Sequence, residues 1–419
     1  MENLILDKIE VKDCIVKYKF SYTQGLSKFF TTNEMFVRYD SDVSSLPESI
    51  LAIPFVGSLI GLTWLTNSIM WVTDIDETFY SAVRNLKLAY QELYPHYKFG
   101  GRFVAAKITK NQISDDNQSS AVLLFSGGVD AQTSFVRNLD KNPMLCNIQG
   151  WYHNTDETNS VADNDKHDIA DFANRHNCKC ALIDSNFATI VNVNAFQREI
   201  GTKLKDSWWH GIQHSMAFIS LSIPIAFTNG YHQIIIASSF TIGDSRVCAS
   251  YPTTDNEFKF ADKGYTTHDG FELTRQDKIK VLVEHQKRIN KTYPIRVCSF
   301  NDHNCCKCEK CFRTVLAIIA EGGNPELFDF HFDKPIAQFY KQYIKQNIAL
   351  FGVHNESLSH WPHIKKRMIE NYDNIQEKEL VEWFLNYDFH KEKRKGVIRY
   401  YYHNFFSILK RKIKGWLSR

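Results

Sequence analysis

The residues with the clearest chemical meaning lie in Ala121–Arg137, where the sequence reads AVLLFSGGVDAQTSFVR. Val122–Phe125 form a continuous apolar run, which is typical of a strand buried on both faces of a parallel sheet. Gly127 and Gly128 lack Cβ atoms, so they allow a tight turn and the close approach of a phosphate. The amides at the start of a following helix would present N–H groups and the positive end of the helix dipole. This stretch therefore predicts an anion-binding loop.

Two side chains of the loop indicate how the anion would be held. Ser126 adds a hydroxyl donor, and Asp130 can cap the helix or hold a Mg²⁺ that bridges phosphate oxygens. No Lys-Ser or Lys-Thr follows the glycines, so the loop is not a Walker A motif and different chemistry is expected. The alternative is a glycine-rich turn between a strand and a helix that binds no ligand.

Four cysteines form a second group, with the spacing C-x6-C-x2-C-x2-C: Cys298, Cys305, Cys308 and Cys311. Thiolates two residues apart can converge on one tetrahedral ion, and a fourth closes the shell with Zn–S bonds of about 2.3 Å. We expect Zn²⁺ here. His303 is the substitute ligand if Cys298 points elsewhere, and Cys306 has no predicted role. The alternatives are an iron–sulfur cluster and reduced thiols without a metal.

The loop resembles the SGGxDS signature of the N-type ATP pyrophosphatases, or PP-loop enzymes. These enzymes split ATP between the α and β phosphates and adenylate a carboxylate or carbonyl oxygen. Together with the downstream cysteines, Asn117–Phe330 resembles 7-cyano-7-deazaguanine synthase-like proteins, in which the cysteines bind a structural zinc near the active site. The residues expected to bind ATP are Ser126, Gly127, Gly128, Val129, Asp130, Ala131 and Gln149.

The loop departs from the signature at Ala131, where the family usually has Ser. One hydroxyl is therefore missing from the phosphate cradle. Thr133 and Ser134 lie one turn into the predicted helix and are the candidates to replace it. We therefore expect pyrophosphate to bind more weakly than in the family, but still to bind.

The pattern after the loop predicts a βαβαβ unit, with strands at Met144–Ile148 and Cys180–Asp184 and a helix at Ala162–Asn177. The expected fold is α/β, a doubly wound parallel sheet, and the resemblance implies the adenine nucleotide alpha hydrolase-like type. Ligands of such sheets gather at the carboxyl ends of the strands. Four residues are placed there to meet nucleotide or substrate, of which the first could stack on adenine: Trp151, Gln149, Asp184 and Ser185.

Further candidates follow along the chain. His210 and His214, at i and i+4, could bind a metal, although a structural role is the favoured interpretation. Gly243–Asp269 lacks clear periodicity and is predicted to be a functional loop. Asp244, Arg246 and Arg275 are candidates for holding a carboxylate or phosphate, with a solvated surface role as the alternative. Lys278 is the expected catalytic cation that would neutralise charge on pyrophosphate.

Length and composition predict about two or three domains, because a chain of 419 residues with 43% hydrophobic residues can bury a large core. The expected domains are 1–115 (α+β), 116–330 (the PP-loop domain with the cysteine site) and 331–419 (a helical, basic extension). Ile50–Val72 has no charged residue and is long enough to cross a bilayer, but Pro54, two glycines and several small polar residues interrupt it. We therefore expect a buried strand and helix, followed by an amphipathic helix at Glu77–Leu93.

The net charge of +3 does not by itself imply nucleic acid, but basic residues gather in the last thirty positions. There they alternate with aromatic and aliphatic residues, in KEKRKGVIRYYYHNFFSILKRKIKGWLSR. Such a segment predicts contact with an anionic membrane, with RNA or with a protein partner. A helix that packs its apolar face on the same chain is the equal alternative.

The resemblance implies an ATP-dependent ligase that adenylates a small-molecule or peptide carboxylate and forms an amide or nitrile. No Cys follows Met1 as a glutaminase nucleophile, so ammonia, an amine or a separate protein is expected to supply nitrogen. Expected further features are Mg²⁺, a homo-oligomer, a protein partner from the same gene cassette and, without a signal peptide, a cytoplasmic location. The alternatives are a PP-loop tRNA-thiolating enzyme and a nucleotide-sensing module in a defence or surface-polymer cassette.

Overall fold

The structure is a computed structural model that describes residues 1–150, 156–244, 246–298, 301, 303–352 and 355–402, with the backbone alone for 156–165 and 355–359. The chain divides into an N-terminal unit, Met1–Thr274, and a C-terminal unit, Arg275–Arg419. The domain boundaries expected at 115/116 and 330/331 remain predictions. Trp151 lies outside the described residues.

The strands of the N-terminal unit belong to one sheet. They are β1 (Asn3–Lys12), β2 (Ile15–Tyr22), β3 (Glu34–Arg38), β4 (Ile69–Asp76), β5 (Arg102–Thr109), β6 (Ala121–Leu124), β7 (Met144–Gln149), β8 (Cys180–Ser185), β9 (Gln233–Ala237), β10 (Lys259–Phe260) and β11 (Gly264–Asp269). The sheet has 11 strands in the order β10-β11-β9-β6-β7-β8-β3-β2-β1-β4-β5. The first five strands along the chain thus lie in the same sheet as the strand that leads into the glycine loop.

The α-helices complete a mixed α/β fold. In the N-terminal unit they are α1 (Glu48–Leu51), α2 (Ile53–Thr66), α3 (Glu77–Leu93), α4 (Val129–Arg137), α5 (Asp156–Arg175), α6 (Val193–Phe196), α7 (Thr202–Leu204), α8 (His214–Thr228) and α9 (Pro252–Asp255). In the C-terminal unit they are α10 (Arg275–Ile289), α11 (Glu309–Ala320), α12 (Ile336–Asn347), α13 (Asn355–Glu370) and α14 (Lys378–Asn386), and residues 389–402 are also helical. Two π-helical segments, Gln197–Gly201 and Trp209–Gln213, lie before α7 and α8.

Five neighbouring strands in the sheet, β11-β9-β6-β7-β8, all pair in parallel. β6 is the central strand of this group, and its residues Ala121, Val122 and Leu123 are fully buried. Its continuous apolar sequence fits this position, because both faces of a central parallel strand are covered. Antiparallel pairing of β8 with β3 joins the group to the N-terminal strands.

The apolar run Ile50–Val72 lies in the core of the N-terminal unit as α1, α2 and the start of β4. Helix α2 packs closely on α8 and on the π-helical segment before it, since a Cβ atom at Gly57 would collide with Ser220 of α8 and one at Gly61 would lie 2.3 Å from Ile212 Cγ2 of that segment. Contact with α8 therefore explains why α2 is buried all around. Among the described residues, no helix is long and apolar enough to cross a membrane.

Two further expectations have definite outcomes. The amphipathic helix occupies Glu77–Leu93 as predicted and buries Phe79, Val83 and Leu86. The prediction of an irregular loop over Gly243–Asp269 was wrong from Pro252 onward, where the chain forms α9, β10 and β11. The alternating strand β11 buries Thr266 and His268, polar residues that give no apolar signal in the sequence. Downstream of the sheet the chain is helical, as expected for its C-terminal region.

Candidate functional site

The glycine loop turns the chain from β6 into α4. Phe125 N–H donates to the Cys146 carbonyl at 2.8 Å, which ties the end of β6 to β7. Gly127 has a φ of +73°, and a Cβ added there would meet no heavy atom within 4 Å. Gly128 is the N-cap residue of α4 and has no side chain to accept from the first amides of the helix. The loop thus combines a left-handed turn, open space and a helix N-terminus.

The loop lies where the order of the parallel strands reverses. From β6 the chain moves to β7 and β8 on one side, then returns to form β9 and β11 on the other side. In open α/β sheets, ligands bind in the crevice at the carboxyl ends of the strands beside such a reversal. Ser126, the first residue of the SGGVD sequence, is exposed at this place.

A chain of side-chain hydrogen bonds supports the loop from β7. Gln149 Nε2 donates to Asn147 Oδ1 at 2.6 Å, and Asn147 Nδ2 donates to the Phe125 carbonyl at 3.0 Å. Gln149 is 3% exposed, and its Oε1 has no hydrogen-bond partner in the described part of the chain. Gln149 therefore lies beside the loop, as predicted, and Asn147 is a positioning residue that the sequence analysis did not identify.

Helix α4 is fastened to the end of β11. Ser134 Oγ donates to Asp269 Oδ2 at 2.6 Å, and Arg137 Nε donates to Asp269 Oδ1 at 3.2 Å. Thr133 Oγ1 donates to the Val129 carbonyl at 2.8 Å. Thr133 and Ser134 were the candidates to replace the hydroxyl that Ala131 lacks. The hydroxyl groups of both residues instead donate to acceptors within the protein. Asp269 was missed because β11 was not predicted.

The ends of β7 and β8 approach each other closely. Gly150 has a φ of +104°, and a Cβ atom there would collide with the Ser185 carbonyl, so this position requires glycine. Ser185 Oγ donates to the Phe36 carbonyl at 2.6 Å. Asp184 forms an ion pair of 2.8 Å with Lys166. Among the residues predicted at the strand ends, Asp184 and Ser185 therefore stabilise this edge through contacts within the protein.

The two histidines near the start of α8 have different surroundings. His210 Nδ1 lies 2.9 Å from Asp206 Oδ1, and Tyr94 Oη donates to Asp206 Oδ2 at 2.8 Å. Burial raises the pKa of Asp206, but the hydrogen bonds from His210 and Tyr94 outweigh it and the pKa is lowered. His214 packs edge-on against the rings of Trp209 and Phe218. Burial lowers the pKa of His214 to about 4.

Asp244 and Arg246, two of the residues predicted to hold a carboxylate or phosphate, follow β9 and form an ion pair with each other. Arg246 Nη2 lies 2.7 Å from Asp244 Oδ2, and Arg246 Nε donates to Asp244 Oδ1 at 3.0 Å. The guanidinium also lies 4.6 Å from the centre of the Phe240 ring. Arg275 and Lys278 belong to α10 of the C-terminal unit, where Lys278 is 3% exposed. Their expected roles with ATP remain predictions.

The four predicted cysteines come together in the C-terminal unit. The sulfur atoms of Cys298, Cys305, Cys308 and Cys311 all lie within 4.8 Å of one another, and those of Cys305 and Cys311 are 3.9 Å apart. A tetrahedral ion with Zn–S bonds of about 2.3 Å places its sulfur ligands roughly 3.8 Å apart. The arrangement therefore fits a tetrahedral metal site, with Cys298 rather than His303 as the fourth member.

Local backbone geometry positions these thiols. Cys308 is the N-cap residue of α11, and its sulfur accepts from the Cys311 amide at 3.4 Å. Hydrogen bonds from the Cys311 thiol and amide lower the pKa of Cys308, which favours a thiolate ligand. Cys306, with a φ of +56°, instead directs its sulfur to the carbonyls of Asn304 and His331. It lies outside the group of four.

The N-terminal unit thus brings Ser126–Ala131 and Gln149 together at the carboxyl ends of β6 and β7. The C-terminal unit brings the four cysteines together. Both groups contain the residues that the sequence predicted. Comparison with family models, with curated proteins and with solved structures gives no match to this chain.

Proposed function

We propose that this chain is an ATP-dependent adenylating enzyme of the PP-loop type, similar to 7-cyano-7-deazaguanine synthase, and that its central strands are a doubly wound sheet of the adenine nucleotide alpha hydrolase-like kind. The observation that carries the proposal is the position of the SGGVD loop. It joins β6 to the uncapped start of α4 beside the reversal of strand order, which is the place where such sheets bind nucleotides.

In this proposal the loop holds the phosphates of ATP. The amides that follow Gly127 and Gly128, together with the exposed Ser126 hydroxyl, donate to phosphate oxygens. Asp130, in the first turn of α4, would hold the Mg²⁺ that neutralises phosphate charge. Gln149 has a buried amide oxygen beside the loop that can accept a hydrogen bond from the ligand.

The proposed reaction has two steps. An oxygen of the substrate carboxylate attacks the α-phosphorus, the bond from that phosphorus to the oxygen bridging the β-phosphate breaks, and pyrophosphate leaves. Ammonia or an amine then attacks the acyl carbon, loses a proton to the solvent, and AMP leaves with the electrons of the broken C–O bond. Positioning and charge stabilisation supply most of the rate enhancement in such reactions.

The cysteine group has a structural part in this proposal. Four convergent thiols without a water position are typical of a structural Zn²⁺ site. Cys298 and Cys305 precede α11, whereas Cys308 and Cys311 lie at its start, so the ion would fasten the preceding loop to the helix. The metal would thus stabilise the C-terminal unit and take no part in the chemical step.

The test is to incubate the full chain with ATP, Mg²⁺, ammonia and proteins encoded by neighbouring genes, and then to separate the nucleotides. Adenylation yields AMP and pyrophosphate, which Asp130→Ala is expected to abolish. The matched control is Asp140→Ala, which removes an exposed carboxylate just beyond α4 and should retain activity. Production of ADP in place of AMP would contradict the proposal.

One observation favours a second function, nucleotide sensing without turnover. Ala131 supplies no hydroxyl, and the hydroxyls of Thr133 and Ser134 donate to the Val129 carbonyl and to Asp269. A cradle with one donor fewer would bind ATP and stabilise less of the charge that develops during reaction. Binding of ATP measured by calorimetry, without any AMP, would favour sensing.

A further inference from the structure

The helix formed by residues 389–402, here named the C-terminal helix, is anchored in its own unit by one face. Phe389 is 3% exposed and contacts the rings of Trp361 and Trp383. A Cβ atom at Gly396 would lie 2.5 Å from Ile348 Cγ2, so the backbone is in close contact there. Lys393 Nζ donates to the Phe351 carbonyl at 2.6 Å. The helix is therefore held in its unit by this inner face.

The opposite face, here named the outer face, exposes one aliphatic and two aromatic side chains. Ile398 is 71% exposed, Tyr401 is 59% exposed and Tyr402 is 81% exposed. With 3.6 residues per turn, these three fall within about a third of the circumference, on the side opposite Phe389 and Gly396. These three side chains therefore present much of their surface to solvent.

Cations share the outer face with these apolar residues. Four exposed basic residues belong to it: Lys391, Arg394, Lys395 and Arg399. At 3.6 residues per turn, the first two lie in the same arc as the apolar residues, one to two turns earlier, and the other two lie beside that arc. Glu392 is the single acidic residue from position 391 onward, and it pairs with Lys395 at 2.6 Å. Residues 391–419 contain ten Lys or Arg and one Glu, a net charge of +9, whereas residues 1–390 carry −6. Positive charge is thus concentrated where large apolar side chains are exposed.

We propose that the outer face binds an anionic lipid surface. A helix lies in the membrane interface when exposed apolar side chains enter the boundary and the Lys and Arg side chains of the same surface reach the anionic headgroups. Tyrosine is enriched at this depth, because its ring is apolar and its hydroxyl remains hydrated. The negative charge of the remaining chain makes this face the region to which an anionic surface is attracted.

The aliphatic residues favour a membrane over RNA. Bases stack on aromatic rings and on guanidinium planes, so an RNA-binding face needs the tyrosines and arginines but gains little from exposed aliphatic side chains. Ile398 lies in the centre of the outer face. The sequence beyond the described residues adds further aliphatic residues and five more basic ones: Ile408, Leu409, Ile413, Leu417, Lys410, Arg411, Lys412, Lys414 and Arg419.

The experiment is sedimentation of the full chain with vesicles of phosphatidylcholine alone and of phosphatidylcholine containing about one-third phosphatidylserine. The wild-type chain is expected to bind the anionic vesicles about tenfold more tightly or better. Ile398→Ser combined with Tyr401→Ser should lower this affinity about tenfold, because the apolar contact is lost. Ile242→Ser is the matched control, since Ile242 is also 71% exposed but lies in the N-terminal unit.

Circular dichroism of each variant establishes that the chain is folded. Absence of binding by the wild-type chain, equal binding to neutral and anionic vesicles, or an equal loss with Ile242→Ser would overturn the proposal. Tight binding of a single-stranded oligouridylate, without vesicle binding, would assign the outer face to RNA instead. The outcome is independent of whether the loop adenylates a substrate.

Discussion

The hydroxyl of Ser134 donates a hydrogen bond of 2.6 Å to the carboxylate of Asp269. Ser134 belongs to the helix that follows the glycine loop, and Asp269 is the last residue of β11. Ser134 is 1% exposed, and Arg137 binds the other oxygen of the same carboxylate. The direction of α4, and with it the orientation of the loop amides, therefore depends on a strand two places away in the sheet.

Replacement of Ser134 tests this structural role. In Ser134→Ala the Asp269 carboxylate loses a buried donor and retains Arg137, so we expect the free energy of unfolding to fall by about 1–2 kcal/mol. Urea denaturation measures the change. The matched control is Ser21→Ala, because the Ser21 hydroxyl donates to Asp7 in an exposed pair and should matter less. Unchanged stability with weaker ATP binding would mean that Ser134 serves the phosphate cradle after all.

In the proposed adenylating function, Ala131→Ser introduces the residue that PP-loop enzymes usually have at the corresponding position of their loop. A hydroxyl donated to a charged phosphate oxygen contributes about 1.5 kcal/mol, which corresponds to about a tenfold change in rate. We therefore expect kcat/KM for conversion of ATP to AMP to rise about tenfold, as measured by pyrophosphate release. Ala173→Ser introduces a hydroxyl at another buried helical alanine and should not raise activity. A gain with both variants would argue against a specific contact at the loop.

The elements around the loop could be predicted because each has a local signal. β6 is a short continuous apolar run, and Gly127 and Gly128 follow it directly. The cysteines were predictable for the same reason, since their spacing alone allows four thiols to converge. The residues that the sequence identified at both places are those that the structure brings together.

The parts that were not predicted depend on contacts between distant residues. β11 buries His268 through a hydrogen bond to Asp255, a partner that no sequence window reveals. β3 joins the central strands by pairing Val37 with Ser185 and Arg38 with Asp184, and nothing in its local pattern selects that edge. Asp269, the last residue of β11, was therefore missed as the residue that fastens α4.

The cysteine group predicts a specific metal content. We expect the purified wild-type chain to contain about one equivalent of zinc, and Cys308→Ser, which removes one of the four convergent thiols, to contain much less. Metal analysis and release of zinc to a chromogenic chelator measure this. Cys306→Ser is a close control, because that thiol lies beside the group and contacts backbone carbonyls. Equal zinc content in the two variants, or iron with visible absorbance, would contradict a four-cysteine zinc site.

His214 predicts how the stability of the chain depends on pH. It packs against Trp209 and Phe218 with ring centroids 5.2 and 5.3 Å away, and burial lowers its pKa from 6.5 to about 4. Between these values the unfolded chain binds a proton that the folded chain does not. The free energy of unfolding therefore falls as the pH decreases from about 6.5 toward 4, by up to about 3 kcal/mol from this group. Below about pH 4 this histidine is protonated in both the folded and the unfolded chain, so it adds no further pH dependence to the free energy of unfolding.

A glutamine at this position cannot take up the proton, so His214→Gln should flatten the dependence of stability on pH over that range. Urea denaturation of the wild-type chain and the variant at several pH values measures the slope of the free energy of unfolding against pH. The other titrating groups contribute equally to both slopes, so the difference between the slopes reports on His214. His167→Gln, which replaces an exposed histidine, should leave the slope close to that of the wild-type chain. If His214→Gln retained the full slope, the proton uptake that destabilises the folded chain would have to come from another buried group.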